Sequence, residues 1–400
     1  MQKTQPSSRL KGQNRDNIRE HNLSLVLRLL HQSGTVARSL LTSVTGLNRS
    51  TISDLVAELG DLFLVTESEA VSQGVVGRPS YSVGPNTNVV AFAVNPEIDA
   101  TTVAAVGLDG TLLHKIRHHT PHPPTAEEAV RIAAAEIENL KPLLPAKTKV
   151  AGIGAALPGQ VRVADGVVRH APHLGWVEAS FGSMLNQLTG LPVAVDNDAS
   201  LASLAERTYG SARGSLNSVC LFAGSGGIGG GVIINGSALR GSAGYGGELG
   251  HMVLTKSSAT DFSGLKGTLE ASVKRDDLLQ VFGLSNATDE ELRTLILEAN
   301  DPKALKLLKQ HGEYLGLAIA NLANIFNPEI VVLAGFLDAI YCHNKARVLA
   351  VFQANSLNAN QERLVIRSGE LGSNATLIGA SELAFAPLLA KPSDTKLYKL

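Results

Sequence analysis

From residue 86 onward, short apolar strands alternate with helices, and one order of elements occurs twice. Strand patterns fall at 88–94, 101–108, 149–156 and 192–196, then at 218–222, 230–235, 252–255, 329–334 and 363–367. Helical spacing covers 125–140, 178–189, 198–208, 302–326 and 376–390. A tight-turn dipeptide marks a hairpin in each copy, Asp109-Gly110 in the first and Asn235-Gly236 in the second. A unit built twice predicts two α/β lobes with a cleft between them, where ligands bind. The first lobe takes about 86–200 plus the C-terminal helix, and the second about 201–375. A 44% hydrophobic content fills such cores, and two cysteines exclude a disulfide scaffold. No apolar run approaches the ~18 residues of a membrane span, and the N-terminus has no apolar leader. The expectation is a cytoplasmic protein that does not enter a membrane.

Charge divides the chain differently. Residues 1–50 carry eight Lys/Arg against two acids, a net +6, which leaves −7 for the other 350 residues of a chain whose total is −1. Ile18, Val26, Leu29 and Leu30 recur at helical spacing, with Gly34 as a stop. A second helix spans 38–45 with Leu40, Leu41 and Val44. The turn Thr45–Asn48 leads into a third, about 49–60, whose inward face is Ile52, Leu55, Val56 and Leu59. This is a helix-turn-helix pattern, and the extended stretches 62–67 and 75–83 add a wing. Residues 1–85 therefore read as a winged helix-turn-helix for double-stranded DNA. Asn48, Arg49, Ser50, Thr51 and Ser53 front the third helix, where they reach phosphates or base edges, with Arg38 beside them. Gly77-Arg78-Pro79 follows the wing, and Arg78 is expected in a narrow minor groove.

The glycines concentrate in 224–231, GSGGIGGG, and 241–250, GSAGYGGELG. The first run contains G-x-G-x-x-G, but it continues as a strand instead of opening a helix, so it is not a dinucleotide turn. Two readings of it stay open: backbone N–H groups facing an anion, or backbone packed tightly on backbone. Asp196-Asn197-Asp198-Ala199 closes a strand and opens a helix, which sets a cap and a second acid at the cleft floor. Glu248, His251 and Glu270 follow. Acids, an amide and an imidazole converging on a cleft suit a polyhydroxylated ligand, whose hydroxyls both donate and accept.

LPG (157–159), PHLGW (172–176), DNDA (196–199), GIGGG (227–231), GGELGH (246–251), LEA (269–271) and NPEIVVLAG (327–335) resemble the successive motifs of the ROK family of repressors and sugar kinases. The N-terminal segment resembles the winged helix of the family's regulators. The resemblance implies a duplicated actin-like sugar-kinase fold of two lobes over residues 86–400. It also implies sugar or sugar-phosphate contacts from Gly159, His173, Asn197, Asp198, Glu248, His251 and Glu270, and a pocket wall shaped by Trp176. Where family kinases carry a D-x-G-G-T phosphate loop, this chain has Asn95-Pro96-Glu97-Ile98-Asp99. Where they carry a zinc site's C-x-C-G-x-x-G-C, it has Asp261–Thr268 without a cysteine. The implied protein is a carbohydrate-responsive repressor with no metal, no cofactor and no enzymatic activity. It would bind an inverted-repeat operator as a homodimer or homotetramer. The alternative is an ATP-dependent ROK sugar kinase with an accessory DNA-binding head.

Overall fold

Gly46 sits at φ +71°, a left-handed turn that stops the helix Arg38–Thr45 and returns its N–H to the Thr42 carbonyl. Two residues later Asn48 caps the helix Arg49–Asp61, its side chain accepting the Thr51 N–H at 2.9 Å. These two signals bracket the turn of the helix-turn-helix. The computed structural model describes residues 15–68 and 81–400. Helix Arg15–Ser33 precedes the pair, and Val36–Ala37, Ser82–Pro85 and Val65–Ser68 make a three-stranded antiparallel sheet in that order. Residues 75–80 of the expected wing strand, and the Gly77–Pro79 tripeptide with Arg78, lie outside the described residues. Two apolar expectations are corrected. Ile18 is 47% exposed, and of the three apolar residues on the second helix only Leu41 is buried.

The body repeats itself as its sequence pattern predicts. In the first lobe the strands run Val193–Asn197, Lys149–Leu157, Val89–Pro96, Ala100–Gly107, Leu112–His119 across the sheet. In the second they run Val365–Ser368, Ile330–Gly335, Ser218–Gly224, Gly227–Ile234, Ser237–Ala238. Both sheets are parallel, parallel, antiparallel, antiparallel along that order. Helix Asp198–Thr208 leaves the first sheet and packs on Gly227–Ile234 of the second. Residues 252–255 correct a strand expectation, because they make one isolated bridge, Val253 to Thr268. The sequence reading missed the small sheet Gln160–Arg162, Val167–Ala171, Trp176–Ala179 and the helices Arg275–Val281 and Asp289–Leu297.

The head is fused to the body by one core. Leu23, Val26, Leu27 and Leu30 of the first helix pack with Val89 and Leu108, and with Phe385, Leu388 and Leu389 of the C-terminal helix Ala375–Ala390. That helix also lies flat on the first sheet. A Cβ on Gly154 would sit 1.7 Å from the Ala380 carbonyl oxygen, so only glycine permits the approach. Among the described residues, no helix is long and apolar enough to cross a membrane.

Candidate functional site

Val193–Asn197 runs parallel to Lys149–Leu157 and ends with Asn197 beside Leu157, which sets the cleft floor. Asn197 caps the next helix by accepting the Ser200 N–H at 2.9 Å, and its amide donates to the Gly159 carbonyl at 3.0 Å. Gly159 has φ +78°, and a Cβ there would meet the His170 carbonyl oxygen at 2.3 Å. The cap is thus the amide rather than either flanking acid. Asp196 is buried and pairs with Arg240 of the second lobe, a partner that no local motif flags. Asp198 opens the helix, its carboxylate accepting the Ala199 N–H. Loss of solvation in the cleft pushes its pKa up to about 7, with the Glu248 and Glu97 carboxylates adding to the effect.

A small cavity brings together Gly159, Asn197 and Glu248, with Ser200, Tyr245 and Gly230 in its wall. Asp198, His251, Glu270 and His173 are not part of that wall. His251 and Glu270 instead cluster with Asp261, their ligand atoms within 4.8 Å of one another. Burial raises the Glu248 carboxyl, and Glu270 raises it further while His251 opposes. Glu270 is held in the first turn of Leu269–Ser272, and its Oε2 accepts the Ile228 N–H at 2.8 Å. Both open readings of the glycine run meet here. Its backbone faces an anion, and that anion is the protein's own carboxylate. A Cβ on Gly227, at φ +97°, would sit 2.3 Å from Glu270 Oε2. The other oxygen, Oε1, is buried and has no partner among the described residues.

The zinc that the fold family implies does not fit the side chains present. Asp261 Oδ2 accepts from His251 Nδ1 at 2.9 Å and from the Thr268 hydroxyl at 2.8 Å. Its Oδ1 accepts the Ser263 and Leu265 N–H groups and the Ser263 hydroxyl. Five donors saturate the four lone-pair positions of a carboxylate, and hydroxyls are poor replacements for thiolates. Burial would raise the Asp261 carboxyl, but the hydrogen bonds from His251, Ser263, Thr268 and Leu265 bring it down to about 2.

At the cleft mouth His173 of the first lobe lies 4.2 Å, ring to ring, from Phe262 of the second. Burial lowers the His173 pKa, against the opposing pull of Glu270. Trp176 corrects an expectation. Its indole donates to the Pro124 carbonyl and stacks on Phe181 in the first-lobe core, not on the cavity. Residues 97–99 form the tight turn between Val89–Pro96 and Ala100–Gly107, and Arg117 pairs with both Glu97 and Asp99. Burial raises the Glu97 carboxyl while Arg117 holds it back. The histidines 118, 119 and 122 form no cluster with metal-ligand spacing among the described residues, and His118 bonds Glu136.

On the head, Arg49 and Ser50 are exposed at the start of their helix, and Thr51 and Ser53 are half-buried. Two expected DNA contacts already have protein partners. The Asn48 amide oxygen accepts from both Thr51 N–H and the Ser50 hydroxyl. Arg38 pairs with Glu67, reaches Ser53 and lies over the Tyr81 ring, joining the second helix to the third and to the wing strands.

The helix that begins at the cleft floor ends at the head. Tyr209 caps Asp198–Thr208, and its hydroxyl lies 2.9 Å from His31 Nε2 and 3.0 Å from Glu382. His31 is buried, with Nε2 on the Glu382 carboxylate and Nδ1 on the Leu108 carbonyl. Both nitrogens face acceptors, so both donate and the ring carries charge. Burial opposes that charge, but Glu382 outweighs it with help from the Leu108 hydrogen bond, and the His31 pKa is raised. Arg213 adds a hydrogen bond to the Gln32 carbonyl at 2.6 Å.

Residues 94–386 match the model of the ROK family. A xylose repressor of Bacillus subtilis is 27% identical over 377 residues, covering 92% of this chain and 95% of that one. A glucokinase of Halalkalibacterium halodurans is 31% identical over 255 residues, 59% of this chain and 77% of the enzyme. The crystal structure of a ROK family transcriptional regulator, a homologue of the E. coli MLC protein, superposes with a TM-score of 0.75 at 25% identity, covering 93% of this chain and 97% of the other. On its motifs, its duplicated sheets and these matches, the chain belongs to the ROK family.

Proposed function

We propose that the chain is a sugar-responsive transcriptional repressor. The observation that carries the sugar site is Glu270: one oxygen is pinned by a backbone N–H and the other is buried without a partner among the described residues. Such an acceptor calls for a donor, and a sugar hydroxyl supplies one while accepting from a neighbour. Asn197 and Glu248 line the small cavity, and in this reading Asp198 and His251 join them around the ligand. Repressor relatives aligned over nearly the whole chain, head included, support the DNA function. In this reading Arg49, Ser50, Thr51 and Ser53 meet the operator, Arg78 enters its minor groove, and Arg38 and Asn48 set the geometry of the helix. A ligand that favours one lobe arrangement moves helix Asp198–Thr208, and Tyr209 passes that movement to His31. A homodimer or homotetramer then changes the spacing of its heads on an inverted repeat.

Anisotropy titration of labelled promoter fragments, at several salt concentrations and with a panel of sugars and sugar phosphates, tests this. One fragment is expected to bind tightly, with affinity falling as salt rises and changing with one sugar. The absence of any sequence-specific complex would sink the reading. A kinase reading is favoured by Asp198, whose raised pKa suits a general base. Against it, the turn 97–99 carries two acids paired with Arg117 in place of the glycines of a phosphate loop. Robust ADP release with any sugar would reverse this judgement.

A further inference from the structure

We propose that Asp261 is the positioning residue that sets the tautomer of His251, holding the hydrogen on Nδ1 so that the neutral ring keeps its lone pair on Nε2. The buried carboxylate stands at the centre of a loop that it organises itself. Oδ1 gathers two backbone N–H groups and the Ser263 hydroxyl, which fixes the turn 261–265. Oδ2 is thereby aimed at two remaining donors, the Thr268 hydroxyl and the His251 ring. A carboxylate only accepts, so Nδ1 must carry the hydrogen, and in the neutral ring Nε2 holds the lone pair. The Glu270 carboxylate offers an oxygen within 4.8 Å of this pair. The cleft is otherwise rich in carboxylates. A ring held in this tautomer offers Nε2 as one more acceptor, to which a ligand hydroxyl can donate. This rests on reading the cleft as the sugar site. The measurement below uses neither sugar nor DNA, so a silent sugar panel leaves its outcome untouched.

The discriminating change is Asp261→Asn. Its oxygen retains the three loop donors, while its NH₂ faces Thr268 and Nδ1. Nδ1 must then accept, and the hydrogen moves to Nε2. An amide in place of a carboxylate reverses a histidine's tautomer in the same way in a serine protease. Long-range ¹H–¹⁵N spectra of the labelled full chain, recorded at about pH 8.5, two units above the ordinary histidine pKa of about 6.5, report which nitrogen is protonated. His251→Gln assigns the signals. The wild-type chain is expected to show protonated Nδ1, and Asp261→Asn protonated Nε2. Ser263→Ala removes a loop hydrogen bond without touching the ring, so it is expected to lower the Tm and leave the wild-type tautomer in place. A wild-type chain protonated at Nε2 overturns the proposal, as does an Asp261→Asn chain with the wild-type pattern. If that variant does not fold, the wild-type spectrum alone decides.

Discussion

Helix Asp198–Thr208 has two ends that the chain treats in opposite ways. At the cleft end, Glu270 keeps a buried oxygen without a partner, and Asp198 and Glu248 are both held above the usual carboxylate range. At the head end, both nitrogens of His31, the Tyr209 hydroxyl and the Glu382 carboxylate are all engaged. An unsatisfied end stores free energy that an incoming polar ligand releases. A satisfied end transmits movement, because shifting any member costs a hydrogen bond to the others. In the proposed reading, this difference gives sensing to one end and coupling to the other.

Breaking the satisfied end carries the largest effect. His31→Ala leaves the Glu382 charge buried without its cation, a loss of roughly 3–5 kcal/mol for a buried pair. Thermal melts are expected to show a drop of many degrees. His31→Gln keeps one hydrogen bond and costs less. In that milder variant the same sugar is expected to bind, while operator affinity no longer responds to it. Undiminished sugar release of DNA from His31→Gln would remove the junction from the coupling.

Breaking the open end acts on the ligand first. Glu270→Ala removes a charged acceptor worth roughly 1.5–3 kcal/mol, or about 10- to 100-fold in sugar affinity by calorimetry. It also strands the Ile228 N–H, so stability falls as well. Gly227→Ala reaches the same carboxylate from the other side. Its φ of +97° and the 2.3 Å approach to Oε2 predict a loss of about 1–2 kcal/mol with weakened sugar binding. Unchanged binding in both variants would exclude Glu270 from the ligand's surroundings.

The two ends were not equally legible in the sequence. The duplicated strand order, the hairpin turns and the helix-turn-helix are local signals, set by periodicity and by Gly or Asn at turns, and they appear where the pattern places them. Trp176 stood in a pocket motif, yet its apolar bulk went to the core. Arg38 is expected at the DNA, and no local motif marks Glu67 and Tyr81 as its protein partners. His31, Tyr209 and Glu382 are separated by up to 351 residues and share no motif, so only the packed fold reveals them. Asp261 occupied a position where an implied metal site had visibly lost its thiolates, but only its five hydrogen bonds show what replaced them.

A titration separates the two ends by pH. Asp198 has a folded pKa of about 7 against an ordinary 3.8. The native state therefore holds its proton more tightly than the unfolded chain, and stability falls as pH rises from about 4 to about 7. His31 is also raised, but from 6.5, so its contribution is fully present below that value and is lost as pH climbs above it. Arg28, Asp109 and Arg213 share the surroundings of this junction. Melting curves taken between pH 4 and 9 are expected to decline in two stages. Asp198→Asn should shrink the lower stage, to which the raised Glu248 and Glu97 carboxyls also contribute, and His31→Gln should shrink the upper. If either substitution flattened both stages, the two ends would share one ionisation, and the division between sensing and coupling would fail.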